Sequence, residues 1–256
     1  MMIKLSLRLT IACLIGAPLV LLVAKVSGNA HRRISEKVQD LSADASEIAE
    51  ETIQTIGQAL LTTYNANQEC FVWGFGAKFG GILRNLFQCG PSPTVLGVPG
   101  ILQAYESVLS GGLTMSGPTM YTQVIQAAAV KAKRSHDQMS MSNSRAATAA
   151  TASSCALQYF VLVVMSDGHA EEMEETKRKL AVYSNLPLAI IFVGVGVRSN
   201  FAQVKHELEH CGNSAVTFVE FRKHQDEPAA LSAAALKELP SHVCRYFNGR
   251  TATLNK

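Results

Sequence analysis

Apolar residues along the chain fall into two kinds of pattern. Cys70–Trp73, Gln158–Met165, Pro187–Gly196 and the earlier Leu9–Ala24 are nearly continuous runs. A strand covered on both faces reads in this way. Elsewhere the spacing is helical. Ile48, Ile53, Ile56 and Leu60 lead toward Tyr64 behind a capping pair, Asp44 and Glu47, which predicts a helix. Helices are also predicted over Val98–Leu109, Thr119–Arg134 with Thr119 as N-cap, Glu171–Ser184, Phe201–Glu209 and Pro228–Tyr246. In Glu171–Ser184, Met173, Leu180 and Tyr183 mark the inner face, while Glu174/Arg178 and Glu175/Lys179 can pair outside at i,i+4. Cys70–Gly76 reads as a strand entering a glycine loop, and Ala215–Phe221 as a further strand. Buried strands alternating with helices predict an α/β fold with a doubly wound, mostly parallel sheet flanked by helices. Ser135–Ser154 is dominated by Ser, Thr, Ala, Asn and Met, and this composition predicts a flexible insertion.

The run from Leu9 to Ala24 admits three readings. Lys4 and Arg8 precede it and Ser27-Gly28-Asn29-Ala30 comes after it, the shape of a secretory signal cleaved after Ala30 or of a short membrane anchor. For a spanning helix it is short, and Pro18 sits inside it. Alternatively, Pro18–Ala24 is a fully buried strand. Periodicity does not separate the three.

Charge narrows the function classes. The chain of 256 residues carries 23 Lys+Arg against 20 Asp+Glu, a net charge of +3. Five of those bases (Lys4, Arg8, Lys25, Arg32, Arg33) and no acid lie before residue 36, leaving 18 bases against 20 acids for the body. A weakly acidic body lacks the clustered basic face that nucleic-acid phosphates require. The six cysteines (Cys13, Cys70, Cys89, Cys155, Cys211, Cys244) are widely spaced, with no C-x-x-C. They read as reduced core thiols rather than zinc ligands.

In a doubly wound sheet, ligands bind beyond the carboxyl ends of the strands. Those ends offer Gly74-Phe-Gly76, Ser166-Asp167-Gly168 and Gly194-Val-Gly196. The first continues to Gly80 as G-x-G-x-x-x-G, with no acid placed for a ribose, so turn glycines are the plainer reading. Neither a G-x-x-x-x-G-K-[ST] nor a G-x-S-x-G segment occurs, which removes the P-loop and the nucleophile elbow. His169, and His206 with His210 at i,i+4, read as solvated histidines without an H-E-x-x-H pattern.

A more particular constellation remains. Gly117-Pro-Thr119 at a helix start and Ser166-Asp-Gly168 at a strand end resemble two segments of the metal-ion-dependent adhesion site of von Willebrand factor A domains. Phe75-Gly-Ala-Lys78, Gly100-Ile-Leu-Gln-Ala-Tyr105, Tyr159-Phe-Val-Leu162, Leu186–Gly196, Phe218-Val-Glu-Phe-Arg222, Leu239-Pro-Ser-His-Val243 and Arg245-Tyr-Phe-Asn-Gly249 are similar to the A domain of copines. The likeness runs from about Tyr64 to Gly249. It implies a von Willebrand factor A fold of Rossmann-like type over residues 18–249, an N-terminal segment 1–17, an insertion at 135–154 and a tail at 250–256. Pro18–Ala24 then becomes the central strand.

The same resemblance implies a site. Where the family's first strand ends in D-[FL]-T-x-S-N, this chain has Lys25-Val-Ser27-Gly-Asn29. Ser27, Asn29, Thr119 and Asp167 could still offer oxygens to a divalent cation, the hard ligands that magnesium or manganese take. The first carboxylate is replaced by the ammonium of Lys25. The expectation is a degenerate site with no cofactor or weak Mg2+/Mn2+, and a partner-binding surface that includes Lys25, Gly168 and Gly76. Function is expected to be non-enzymatic protein interaction, engaging a partner through an acidic residue and without the calcium-dependent phospholipid binding of copine C2 domains. Direct membrane binding is left open, and an intracellular location is preferred to a secreted or anchored one. The alternatives are a nucleotide-binding α/β enzyme using the glycine turns, or a secreted or membrane-anchored A-domain adhesion protein.

Overall fold

A computed structural model describes residues 46–79, 81–117, 119–145, 158–168, 170–195 and 201–254. The expectations placed on Leu9–Ala24, Lys25, Ser27, Asn29, Asp44, Pro118, His169 and Gly196 lie outside these residues. In chain order the elements are α1 over residues 46–64, β1 (Glu69–Cys70), β2 (Trp73–Gly74), β3 (Ala77–Phe79), β4 (Ile82–Arg84), β5 (Phe87–Gln88), β6 (Val95–Leu96), α2 (Gly97–Ser110), β7 (Thr114–Met115), α3 (Tyr121–Arg145), β8 (Phe160–Ser166), α4 (Met173–Val182), β9 (Leu188–Gly194), α5 (Phe201–Leu208), β10 (Val216–Glu220), α6 (Pro228–Leu236) and α7 (Leu239–Leu254). From Ile48 onward they form one compact unit.

The strands predicted over Gln158–Met165, Pro187–Gly196 and Ala215–Phe221 associate as expected. They form a parallel sheet in the order β10-β9-β8, with Val164, Phe192 and Phe218 in one row and Ser166, Gly194 and Glu220 in the terminal row. Successive side chains point to opposite faces, and in β9 both faces are covered. Leu188, Ile190 and Phe192 pack with Ile125 of α3, Leu180 of α4 and Phe201 of α5. Ile191 and Val193 pack with Ile56 of α1 and Leu231 of α6. Every residue of β9 is buried, which is why its sequence shows no alternation. Each such aliphatic or aromatic side chain contributes on the order of 1.5–3 kcal/mol.

Gly194 ends β9 under the ring of Phe201. A Cβ at this position would stand 2.4 Å from Cγ of Phe201, a residue only 1% exposed. Either the ring or the strand would have to move. Gly194→Ala is therefore expected to cost roughly 1–3 kcal/mol, the usual penalty of overpacking, read as a lowered urea midpoint. An unchanged midpoint would show that α5 is not held against the strand end.

Several sequence expectations are corrected. Cys70–Gly76 is not one strand: β1 pairs antiparallel with β6 and β2 with β5, outside the parallel sheet. Their partners lie further along the chain, and local pattern does not reveal them. Helix α3 continues to Arg145, well into the stretch expected to be flexible. Residues 135–145 contain neither Gly nor Pro, so nothing there ends a helix already begun; residues 146–154 lie outside the described residues. The last predicted helix is two. Leu239 opens α7 and Pro240 comes next, where a proline cannot continue the preceding helix because it lacks an N–H and crowds the carbonyl four residues back. The charged pairs on α4 form at i,i+3, Lys177 with Glu174 at 3.0 Å and Arg178 with Glu175. Lys179 instead reaches Gln126 of α3 at 2.6 Å.

Candidate binding surface

Three chain segments converge at the carboxyl end of β8. The first carries Gly76, which adopts φ +68, a left-handed conformation that side-chain-bearing residues rarely accept. A Cβ there would lie 3.0 Å from Thr119 Oγ1. Gly76 is thus required both for the turn and for the approach of Thr119. Its carbonyl accepts the Ser116 N–H at 3.2 Å, fastening the first segment to the second.

The second segment enters α3. The sequence makes Thr119 the cap of that helix, but α3 begins at Tyr121. The backbone before it is used differently. The Thr119 carbonyl accepts the Glu171 N–H at 2.9 Å, and Met120 and Glu171 form an isolated parallel bridge. The Thr122 hydroxyl reaches Glu172 Oε2 at 3.5 Å. Glu172 is at φ +57, a conformation costing a non-glycine residue on the order of 1 kcal/mol, sustained by these flanking contacts.

The third segment leads on from β8. Ser166 is 7% exposed, and Asp167 is exposed while Gly168 is buried. The Gly168 N–H donates to Ser166 Oγ at 3.1 Å. Tyr121 Oη lies 2.6 Å from the same Ser166 oxygen. Burial pushes the Tyr121 phenol up to about 12, partly offset by the Ser166 hydrogen bond and reinforced by the nearby Asp167 charge. The phenol is neutral at physiological pH. An aromatic row supports this floor: Tyr121 meets Phe75 edge-on at 6.1 Å and Phe192 at 5.4 Å, and Phe192 stacks on Phe218 at 5.4 Å.

The structure therefore brings Gly76 against Thr119, and ties the Thr119 segment to the turn bearing Asp167 and Gly168. Lys25, Ser27 and Asn29 lie outside the described residues. Among the described residues no group of three or more His, Cys, Asp or Glu could hold a metal ion. Thr119 and Asp167 would supply two hard oxygens, fewer than the roughly six that magnesium takes. The exposed rim, Asp167, Glu171 and Glu172, is acidic. His206 and His210 are exposed, as expected of solvated histidines. Cys70, Cys89, Cys211 and Cys244 are free thiols, and burial pushes Cys89 up to about 11. Sequence reasoning singled out the Ser166-Asp167-Gly168 segment but missed Tyr121 and its contact with the Ser166 hydroxyl. The signal for that contact was a hydroxyl at the end of the buried series Leu162, Val164, Ser166, and a tyrosine on the inner face of α3.

With this geometry in place, comparison with known proteins is decisive. The copine family matches residues 40–255. The chain belongs to the copine family. It is 30% identical over 209 residues to Copine-C of Dictyostelium discoideum, covering 77% of this chain and 35% of the relative. It is likewise 30% identical over 214 residues to Protein BONZAI 1 of Arabidopsis thaliana, covering 77% and 34%. Copine-E of Dictyostelium discoideum is 27% identical over 203 residues, covering 75% and 32%. The chain thus spans about a third of the length of the curated relatives it matches. The parallel sheet flanked by helices on both faces is the A-domain type of fold that this membership implies. Residues 25–29 precede the matched segment. Among the described residues no helix is long and apolar enough to cross a membrane.

Proposed function

We propose that this copine A-type domain is a non-enzymatic protein-interaction module whose adhesion site works without a metal. The observation that carries the reading is the convergence of Gly76, Thr119 and Asp167-Gly168 at one end of the sheet. The exposed carboxylate of Asp167 and the acidic rim suit a fixed cation, and the motif resemblance of Lys25-Val-Ser27-Gly-Asn29 implies that Lys25 stands where the first carboxylate would be. Its ammonium would pair with Asp167 and occupy the region of the ion. A dication about 4 Å from that ammonium would meet repulsion on the order of 8 kcal/mol at an effective dielectric near 20. An acidic partner residue, facing Asp167, Glu171 and Glu172, would depend on Lys25 for attraction.

This reading also makes Pro18–Ala24 the strand beside β8, and so a retained part of an intracellular domain. Among the described residues β8 has a strand on one edge only, and Val161, Val163 and Met165 are only half-buried. A further apolar strand would satisfy both features.

Calorimetric titration with Mg2+ and Mn2+ tests the metal-free site. No stoichiometric binding is expected in the micromolar range. Micromolar binding that Asp167→Ala abolishes would overturn the reading. For the enzymatic alternative, neither NAD nor ATP is expected to raise Tm, and a clear nucleotide-dependent rise would favour catalysis at the glycine turns.

A further inference from the structure

The contact between Tyr121 and Ser166 joins two residues far apart in sequence directly beneath the proposed surface. We infer that Tyr121 is a positioning residue: through Ser166 its buried hydroxyl holds the Asp167-Gly168 turn in place against Thr119. The functional meaning of this inference rests on the reading of that surface given above, whereas its geometric content does not.

Ser166 is anchored twice. Its carbonyl accepts the Val195 N–H at 2.9 Å, fixing the backbone to the neighbouring strand. Its hydroxyl oxygen accepts the Gly168 N–H at 3.1 Å and meets Tyr121 Oη at 2.6 Å. Residues 166 and 168 thereby close a small turn with Asp167 at its tip. Tyr121 is 0% exposed, so water is not on hand to replace its partner. Its ring is set by Phe75 and Phe192, and its backbone lies two residues beyond Thr119. The Glu171 N–H bonded to the Thr119 carbonyl at 2.9 Å closes the far side of the loop. The serine hydroxyl is therefore a shared node. A move of the α3 start shifts Tyr121, Tyr121 shifts Ser166, and the turn carrying Asp167 moves with them. A tyrosine present only to fill the core would need the ring but not the hydroxyl.

Amide hydrogen exchange of the full chain, monitored by NMR, separates these roles. Tyr121→Phe keeps the ring and removes the oxygen. Loss of one hydrogen bond, worth about 0.5–1.5 kcal/mol net, should lower the protection of the Gly168 amide roughly two- to tenfold. The Ile190 amide, bonded to the Ala215 carbonyl at 2.9 Å in the sheet, should change by a smaller factor. Ser166→Ala should reproduce the loss at Gly168, and Ser166→Thr, which retains a hydroxyl, should restore it. Unchanged Gly168 protection in Tyr121→Phe would overturn the inference. So would an equal fall at Gly168 and Ile190, which marks a purely structural tyrosine, or failure of Ser166→Thr to restore protection. Micromolar metal binding would overturn the metal-free reading but leave this exchange result standing, so the two failures are distinct.

Discussion

Phe192→Ala is expected to lower the unfolding free energy by about 3–5 kcal/mol, the cost of removing a fully buried aromatic ring and leaving a cavity. Phe192 is 0% exposed, with Tyr121 edge-on at 5.4 Å and Phe218 stacked at 5.4 Å. It sits in the middle strand of the parallel sheet, where helices press on both faces and little collapse can refill the space. A domain of ordinary stability has roughly 5–15 kcal/mol in all, so this single change removes a large fraction of it. The urea midpoint should fall with little change in slope. Phe192→Leu, which keeps most of the volume, should cost less than about 1.5 kcal/mol. A loss below about 1 kcal/mol for the alanine variant would contradict the packing described. The effect reaches the candidate surface as well, because Phe192 supports the ring whose hydroxyl holds Ser166.

A chain beginning at residue 25 is expected to lose its stable monomer altogether. If Pro18–Ala24 is the strand beside β8, its removal leaves a parallel sheet with an apolar edge strand open to solvent. Such an edge exposes unpaired N–H and C=O groups and invites association with other chains. Gel filtration should find the truncated protein aggregated or expanded relative to the full chain. A truncated monomer with an unchanged Tm would overturn the strand assignment. Mass measurement of the protein from its native cell supplies an independent check. Retention of residues 18–24 in the folded protein is expected, and loss of residues 1–30 would restore the secretory reading.

On the proposed reading, the acidic rim would make Lys25 the pivot of both the metal and the partner question. Asp167, Glu171 and Glu172 come from the end of β8 and the turn before α4. In sequence they look like one strand-terminal acid and the start of an exposed helix. The Glu171 N–H bonded to the Thr119 carbonyl, together with the Met120 and Glu171 bridge, places the second group beside Thr119.

Much of the architecture was nevertheless legible in the residues. Continuous apolar runs located β8 and β9, the latter because a strand covered on both faces has no polar side to show, and the shorter Ala215–Phe221 pattern located β10. Helical spacing located α1, α2, α4 and α5 to within a residue or two at most described ends, and the ordered motifs from Tyr64 to Gly249 led to the copine family. Periodicity reports which face of an element is buried, and composition reports how readily a segment turns or coils. Both are local properties, and by itself the sequence determined the kind and place of the elements that depend on them. Tertiary structure alone decided what fills each buried face: Phe201 over Gly194, Thr119 against Gly76, Tyr121 on Ser166, and β1 with β6 rather than in the main sheet. These depend on volumes and hydrogen-bonding groups brought together from distant parts of the chain, and such partners leave no periodic mark on either segment.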